Sequence, residues 1–380
     1  MKRLLYGTTA LVAAGTLMAG PANAAGFEAS LHGYMEQWFG FADSDLDSTG
    51  AGSVQDVGFN SDTEVHFDAV ITLDNGMKVQ YHVELEGNTT PAAGTAAGDQ
   101  IDESWLRTTA SWGQILFGSE NSATYLMAYG PDDFGITANS GDTSAWLPMV
   151  TTRGASMFRT PFGSRNNEVD VSCNDESRLS YFTPRFSGFQ FGVTYTSSCG
   201  SEDLAGGVAA PSTFTAANIY DVINLGANFV RKFDQVDVAL ALGYGFGEKA
   251  DGTTGNDPES FHAGTRIGFG GFAIGASYNE YFNAINSAAG TVSNETWGVQ
   301  VGASYQTGPW HMSVIYLFSE RDGTIANGNE DTLDTIHVGL NYDLGPGVQL
   351  RGTIGYADYN DEGALDNDGW FLVGGMALSF

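Results

Sequence analysis

The sequence predicts an all-β fold: a transmembrane antiparallel up-and-down β-barrel of about 16 strands, with a long third loop folded into the lumen. Apolar and polar residues alternate with a period of two along most of the chain, as in strands with one dry and one wet face. The last such run is an apolar stripe that reaches Phe380. A strand of this kind faces lipid and seals a barrel, because hydrocarbon tolerates no open sheet edge.

The alternation is most complete over residues 77–86. Val79, Tyr81 and Val83 share one face, whereas Lys78 and His82 lie on the other. The second face is charged and polar rather than merely small, which is the reverse of a β-sandwich core. This pattern favours lipid outside the sheet and water inside it.

Short and long gaps alternate between the predicted strands, as in a meander with one tight rim and one long-looped rim. The predicted strands are 26–41, 62–74, 76–87, 100–110, 113–119, 176–186, 189–199, 217–232, 235–247, 260–270, 272–283, 295–306, 309–320, 332–344, 347–359 and 369–380. Their even number places both ends of the chain at the tight-turn, periplasmic rim.

The first 24 residues have the features of a cleaved secretory signal. Lys2 and Arg3 precede a weakly apolar stretch, and Ala22-Asn23-Ala24 is a small-x-small cleavage site. We therefore expect a mature chain that begins at Ala25 and forms one barrel domain over residues 25–380. No later stretch is apolar enough for a spanning helix.

Charge and composition exclude several partners. The chain carries 45 acidic and 15 basic residues, for a formal charge of −30, which argues against binding nucleic acid or an anionic membrane surface. The 51 glycines and the aromatic fraction of 12% suit a membrane barrel with interfacial aromatic belts. An acidic soluble secreted protein is the alternative that composition alone leaves open.

Residues 120–175 form the longest gap and lack clean alternation. A loop of this length needs a function or packing of its own, and Trp146, Phe158 and Phe162 indicate packing. Since a barrel of about 16 strands has a lumen wider than its wall side chains can fill, we expect the loop to fold inward and narrow it. An external flap is the alternative.

Three segments resemble the Gram-negative general porins, with a Gly- and acid-rich style closest to those of alphaproteobacteria. Residues 177–189 read Ser-Arg-Leu-Ser-Tyr-Phe-Thr-Pro-Arg-Phe-Ser-Gly-Phe, which is similar to a strand-turn segment of that family. Residues 129–135 resemble its constriction loop, and Phe380 matches its terminal assembly signal. The sequence departs from the family pattern by an extra acid after Pro131 and by Ile136 in place of a second glycine.

The resemblance implies a trimeric, sixteen-stranded diffusion channel in which acids on the inward loop face bases on the barrel wall. The pleat and the resemblance together give a predicted constriction of Asp132, Asp133, Asp142, Lys78, His82, Arg107 and Arg178. Opposed charges across a narrow pore set up a transverse field that orders water and penalises apolar solutes. The alternatives are a solvated turn for the acids and local ion pairs for the bases.

Catalytic and metal sites are less favoured readings of the sequence. His32, His66 and His82 lie on the polar faces of neighbouring strands, but no Ser or Asp motif brackets any of the six histidines. We expect plain pore lining rather than a metal or catalytic cluster, no enzymatic activity and no required cofactor. The acidic residues at 43–47 and 366–368 lie either in solvated loops or in loops that bind Ca²⁺ or Mg²⁺ weakly. In the second case the cation would bridge the protein to lipopolysaccharide.

The two cysteines flank the predicted turn at 187–188 at similar distances along the chain. Cys173 and Cys199 should therefore reach the same height near the long-loop rim, and the periplasm is oxidising. We predict a disulfide that anchors the end of the long loop to the wall.

The sequence is therefore interpreted as a general diffusion porin of the outer membrane, and the family resemblance implies that it forms a homotrimer. Its expected partners are small hydrophilic solutes, ions, outer-membrane lipid and lipopolysaccharide, with a preference for cations that salt weakens. A substrate-specific channel, for instance for sugars, is the alternative, and a barrel enzyme is the third reading.

Overall fold

The computed structural model describes residues 27–44, 56–87, 101–136, 146–147, 173, 175–199, 219–249, 257–282, 295–322, 330–360 and 366–380. These residues form sixteen strands and one short helix. The elements are β1 (Phe27–Ser44), β2 (Val57–Thr72), β3 (Lys78–Glu86), β4 (Ile101–Ala110), β5 (Gly113–Ser119), α1 (Ala123–Leu126), β6 (Ser177–Phe182), β7 (Phe189–Ser198), β8 (Ile219–Phe233), β9 (Val236–Lys249), β10 (Glu259–Phe269), β11 (Phe272–Phe282), β12 (Thr296–Thr307), β13 (Trp310–Arg321), β14 (Asp331–Gly345), β15 (Val348–Asn360) and β16 (Asp366–Ser379).

The strands form one closed antiparallel barrel in which each strand pairs with its neighbours in the chain. Pairing of β1 with β16 closes the sheet, with Tyr34 opposite Ser379. The backbone groups of Gly33 and Phe380 extend this seam through two hydrogen bonds of 3.1 Å. The predicted fold class and the alternation of tight turns with long connections are confirmed.

The two largest differences between predicted and observed strand boundaries have identifiable reasons. β2 begins at Val57 rather than at residue 62, because Phe59 pairs with Phe39 on β1 and their rings lie 5.0 Å apart. β6 ends at Phe182 rather than at residue 186. Pro184 follows and has no N–H to give to the sheet ladder.

The two faces of the barrel wall differ in polarity as expected. Large apolar side chains cover the outside, among them Phe191 on β7 and Leu242 on β9, which are 56% and 57% exposed. Buried polar side chains such as Asn224, Gln300 and Thr353 lie on the inner face. Among the residues that the structure describes, no helix has both the length and the apolar character needed to cross a membrane.

Candidate pore constriction

The long loop after β5 starts on the inner face of the barrel. Its first residues form α1, whose leading N–H, on Ala123, donates to Oγ1 of Thr194 on β7 at 2.9 Å. The carbonyl oxygen of Met127, just after the helix, accepts from Nδ2 of Asn228 on β8 at 3.2 Å. The described start of the loop therefore enters the lumen already hydrogen-bonded to the wall, and this part of the loop folds inward as predicted.

Farther on, three consecutive backbone N–H groups of the loop donate to side-chain oxygens on three consecutive strands, β13, β14 and β15. The pairs are Phe134 N with Ser313 Oγ at 3.0 Å, Gly135 N with Asn341 Oδ1 at 2.9 Å, and Ile136 N with Thr353 Oγ1 at 2.8 Å. Small polar side chains on the wall thus replace the hydrogen bonds that a loop backbone would otherwise make with water.

Glycines on the inner face let the loop backbone approach the strands closely. A Cβ atom at Gly264 on β10 would overlap the carbonyl oxygen of Tyr129, and one at Gly339 on β14 would overlap that of Phe134. Glycine is the residue that permits such contact between two backbones. Residues 123–136 consequently lie along the wall as a layer whose hydrogen bonds extend from β7 to β15, and Trp146, later in the loop, lies against Gly40 on β1 and Gly58 on β2.

Asp132 and Asp133 attach this layer to bases on the wall. Asp132 pairs with the guanidinium of Arg266 on β10 and accepts a hydrogen bond from Ser304 on β12 at 3.0 Å. Oδ1 of Asp133 lies 2.7 Å from Nε2 of His337 on β14.

The placement of Asp133 differs from the expectation of an acid that faces water across a constriction. Its side chain is 1% exposed and that of His337 is not exposed, so the pair is buried between loop and wall. The Asp132 side chain retains 16% exposure and is the more exposed of the two acids. Asp142 lies outside the described residues.

The predicted wall bases occupy three different environments. Lys78 is exposed at the tight-turn end of β3. His82 is buried on the same strand, with its ring stacked on Trp105 of β4 at 4.5 Å between centroids. The Arg107 guanidinium lies over that indole at 4.2 Å and comes within 3.9 Å of a Glu120 carboxylate oxygen.

Arg178 is placed differently from an exposed pore base. Its side chain is buried, and the guanidinium donates to the carbonyl oxygens of Glu176, at 2.9 Å, and of Cys173. Cys173 forms the predicted disulfide with Cys199, which confirms that pairing. Arg178 and the disulfide together secure the returning end of the long loop, where Cys199 and Ile219 pack in a small buried cluster.

The wall of β2–β4 carries a concentration of lumenal acids. A bulge on β4 opposite Val83 and Leu85 brings two successive acids, Asp102 and Glu103, to the same side of the strand. Glu103 accepts hydrogen bonds from Trp105 and Asn121. We call the following group the acidic wall: Glu64, Asp68, Glu84, Glu86, Asp102 and Glu103.

The comparisons with known proteins agree with this architecture. The sequence profile of the Gram-negative porins matches residues 7–362. The chain belongs to the Gram-negative porins. That membership, together with the closed sixteen-strand barrel, supports an outer-membrane channel for passive diffusion and points to a channel rather than an enzyme.

The curated relatives of this porin are distant. Uncharacterized protein RC0098 of Rickettsia conorii is 21% identical, over 63% of this chain and 65% of the relative, so the chain spans about two thirds of that protein. Uncharacterized protein RT0064 of Rickettsia typhi is also 21% identical, over 76% of each chain.

Solved structures share the fold of this porin at low sequence identity. The anion-selective porin from Comamonas acidovorans superposes with a TM-score of 0.60 at 14% identity, over 93% of this chain and all of the other. The trimer form of OmpT, an outer membrane protein of Vibrio cholerae, gives a TM-score of 0.59 at 14% identity, with the same coverage.

Several residues that position the loop were not predicted from the sequence. Arg266 and His337 hold the two loop acids, and Ser313, Asn341 and Thr353 hold the loop backbone. The alternation of side chains along each strand places these residues on the lumenal face. Which of them meets which loop residue depends on the path of the loop, and the sequence pattern does not give that path.

Proposed function

We propose that this porin is a general diffusion channel for small hydrophilic solutes and ions, with a preference for cations. The observation that carries the proposal is the asymmetry of the lumen. Residues 123–136 of the loop make their hydrogen bonds to strands from β7 to β15, whereas the acidic wall lies on β2–β4, where the loop residue Asn121 donates to Glu103. A solute therefore passes between a neutralised loop layer and a wall rich in carboxylates.

The charge balance of the two sides supports cation preference. Asp132 is paired with Arg266, and Asp133 is buried against His337, so neither acid presents an unpaired carboxylate to the passage. The acidic wall has six carboxylates, and the basic side chains next to it include Arg107, His32, His66 and His82. Excess negative charge beside a water-filled passage concentrates cations, and added salt screens this effect over about 8–10 Å.

The test is the reversal potential of the purified protein in a planar bilayer under a tenfold KCl gradient. The expected potential has the sign of cation selectivity and shrinks as total salt rises. Neutralising Glu86→Gln and Asp102→Asn together should move it toward zero. Asp334→Asn is the matched control, because Asp334 lies on the outer face, where it accepts from the Tyr316 hydroxyl. Anion selectivity in the unaltered protein would overturn the cation preference.

We also propose that the barrel assembles as a homotrimer. Trimeric assembly is a property stated for the Vibrio cholerae OmpT structure, which shares this fold. Single-channel records should then contain conductance steps that close in groups of three. Native mass spectrometry of the detergent complex provides the independent count of subunits.

A substrate-specific channel is the second reading, and it would require a ladder of aromatic side chains along the lumen, for which Phe182 is an inward candidate. The Phe182 ring packs with Ala123 and Met127 beneath α1, where it is 7% exposed. It therefore offers little stacking surface to a sugar. Block of the channel current by one sugar at millimolar concentration would favour this reading over general diffusion.

We further propose that acids at the long-loop rim bind Ca²⁺ or Mg²⁺. The bound cations would in turn attract the phosphate groups of lipopolysaccharide. Asp43 ends β1, and Asp366 and Asp368 begin β16 beside it. A rise in thermal transition temperature with millimolar Ca²⁺, reversed by EDTA, is the expected result. Equal transitions with Ca²⁺ and with EDTA would contradict it.

A further inference from the structure

Three histidines meet on the lumenal wall of β1–β3, away from the described contacts of the loop. Register places His32 directly opposite His66, and His66 directly opposite Glu84. The ring centroids of His66 lie 5.0 Å from those of His32 and 5.5 Å from those of His82. The sequence favoured plain pore lining for these residues, whereas in the structure their side chains converge on shared carboxylates.

Two of the imidazoles point at the same carboxylate oxygen. Oε1 of Glu84 lies 2.7 Å from Nε2 of His82 and 3.2 Å from Nδ1 of His66. All three potential ligand atoms fall within 4.8 Å of one another. Ligand atoms about 2.0–2.2 Å from a tetrahedral metal ion are separated by about 3.3 Å, so only a small outward movement is needed to admit one.

The remaining nitrogen of each ring is held by a different carboxylate. Nδ1 of His82 lies 2.9 Å from Asp68 Oδ1, and Nε2 of His66 lies 2.7 Å from Glu64 Oε2. This is the arrangement in which a carboxylate fixes the tautomer and orientation of a metal-binding histidine.

Those two carboxylates are themselves oriented by neutral donors. Gln80 donates to Asp68 at 2.9 Å, and the Tyr34 hydroxyl donates to Glu64 at 2.6 Å. Trp105 stacks on the His82 ring and restricts its rotation. The ligand atoms are therefore aimed by a supporting layer rather than by chance proximity.

We propose that His66, His82 and Glu84 bind a divalent first-row transition-metal ion, with Zn²⁺ as the reference ion. Two imidazole nitrogens and one carboxylate oxygen form a ligand set that suits Zn²⁺ and its neighbours better than Ca²⁺ or Mg²⁺, which take oxygen ligands. Asp68 and Glu64 act as positioning residues.

A second group, formed by His32, Asp68 and His82, is less suited to the same ion. There the two histidines contact different oxygens of the Asp68 carboxylate rather than converging on one. His32 therefore serves in the proposal as a further support for Asp68.

The site is open to ions in the lumen. The side chains of His66, His82 and Glu84 are 14%, 8% and 15% exposed. Three protein ligands leave a fourth position for water, and this type of site exchanges its ion more readily than a closed four-ligand site. Because Glu84 belongs to the acidic wall, a bound dication would offset part of the negative charge of that wall and so lower cation selectivity.

The test is Zn²⁺ binding by calorimetry to the refolded, EDTA-stripped, full-length porin without a histidine tag. We expect one saturable site, unaffected by millimolar Ca²⁺. Glu84→Gln and His66→Gln should each weaken it at least tenfold, and Asp68→Asn about tenfold or more through loss of orientation. X-ray absorption of the Zn²⁺ complex should report two imidazole ligands.

His311→Gln is the matched control, because His311 also pairs with a carboxylate, that of Asp343 at 3.1 Å, but has no place in the proposed site. It should bind Zn²⁺ as the unaltered protein does. Circular dichroism and heat-modifiable gel mobility verify the fold of each variant. Failure of the unaltered protein to bind Zn²⁺, or equal loss in His311→Gln and in folded Glu84→Gln, would overturn the proposal. Neither result depends on solute passage, so the diffusion function is tested separately.

Discussion

The imidazole of His337 and the carboxylate of Asp133 meet at 2.7 Å in a space from which water is excluded, and they join the long loop to β14. Neighbouring backbone contacts place Phe134 on β13 and Ile136 on β15. The pair therefore lies between these two backbone contacts, in the part of the loop that is attached to β13–β15. Its strength should govern how far the loop narrows the lumen.

Removing the histidine should release this part of the loop. His337→Leu leaves the Asp133 carboxylate in a buried place without its imidazole partner, and breaking a buried pair in this way costs about 3 kcal/mol. We expect a lower urea midpoint in detergent and a larger, noisier single-channel conductance. His337→Gln keeps an N–H donor and should be affected less. Equal conductance in all three proteins would show that the pair does not hold the loop.

Adding a side chain beneath the loop should displace it without removing any polar contact. Gly264→Val puts a branched side chain where the Tyr129 carbonyl lies, so the loop must move. We predict a conductance increase with the barrel intact by circular dichroism. Gly268→Val is the control on the same face of β10, because a Cβ atom added at Gly268 would have its nearest neighbour 3.6 Å away, an ordinary contact distance. A matching increase in that variant would contradict the close-approach argument.

Reducing the disulfide should loosen the returning end of the long loop but not open the barrel. Cys173 and Cys199 are 26 residues apart, and closing a loop of this size contributes about 3 kcal/mol in the chain-entropy account. Dithiothreitol should therefore lower the thermal transition. The Cys173→Ser/Cys199→Ser double variant should start from the lower transition and not respond to the reductant. A response in that variant would assign the effect to something other than the disulfide.

Removing the Arg107 charge should strengthen cation preference. Its guanidinium lies over Trp105 and near Glu120, beside the acidic wall, so Arg107→Ala increases the local excess of carboxylates. We expect the reversal potential at 0.1 M salt to shift further in the cation-selective direction, and the shift to shrink at 1 M salt because of screening. Lys78→Ala, at the tight-turn end of β3, provides a comparison at another height. A shift toward anions would refute the prediction.

The alternation of residues was sufficient to predict most strands and their connectivity, because side chains of opposite polarity must face lipid and water. It also placed His82 and Arg107 on the inner face. The destination of Asp133 could not be derived in this way, because its partner His337 is about 200 residues away and their meeting depends on the loop path. Gly264 and Gly339 illustrate the same limit. From the sequence they are simply small residues within strands, and the need for glycine at these positions becomes clear only when the docked loop is seen against them.

The attachment of the loop to many strands has a consequence for the order of events during biogenesis. The described hydrogen bonds of residues 123–136 to the wall are with side chains on strands from β7 to β15, all of which follow that segment in the chain. The loop segment before Ile136 is therefore synthesised long before its docking surface exists, and contacts of such sequence separation form late. Docking of the loop should be one of the last steps of maturation, after which an inserted but still wide cylinder acquires its final bore.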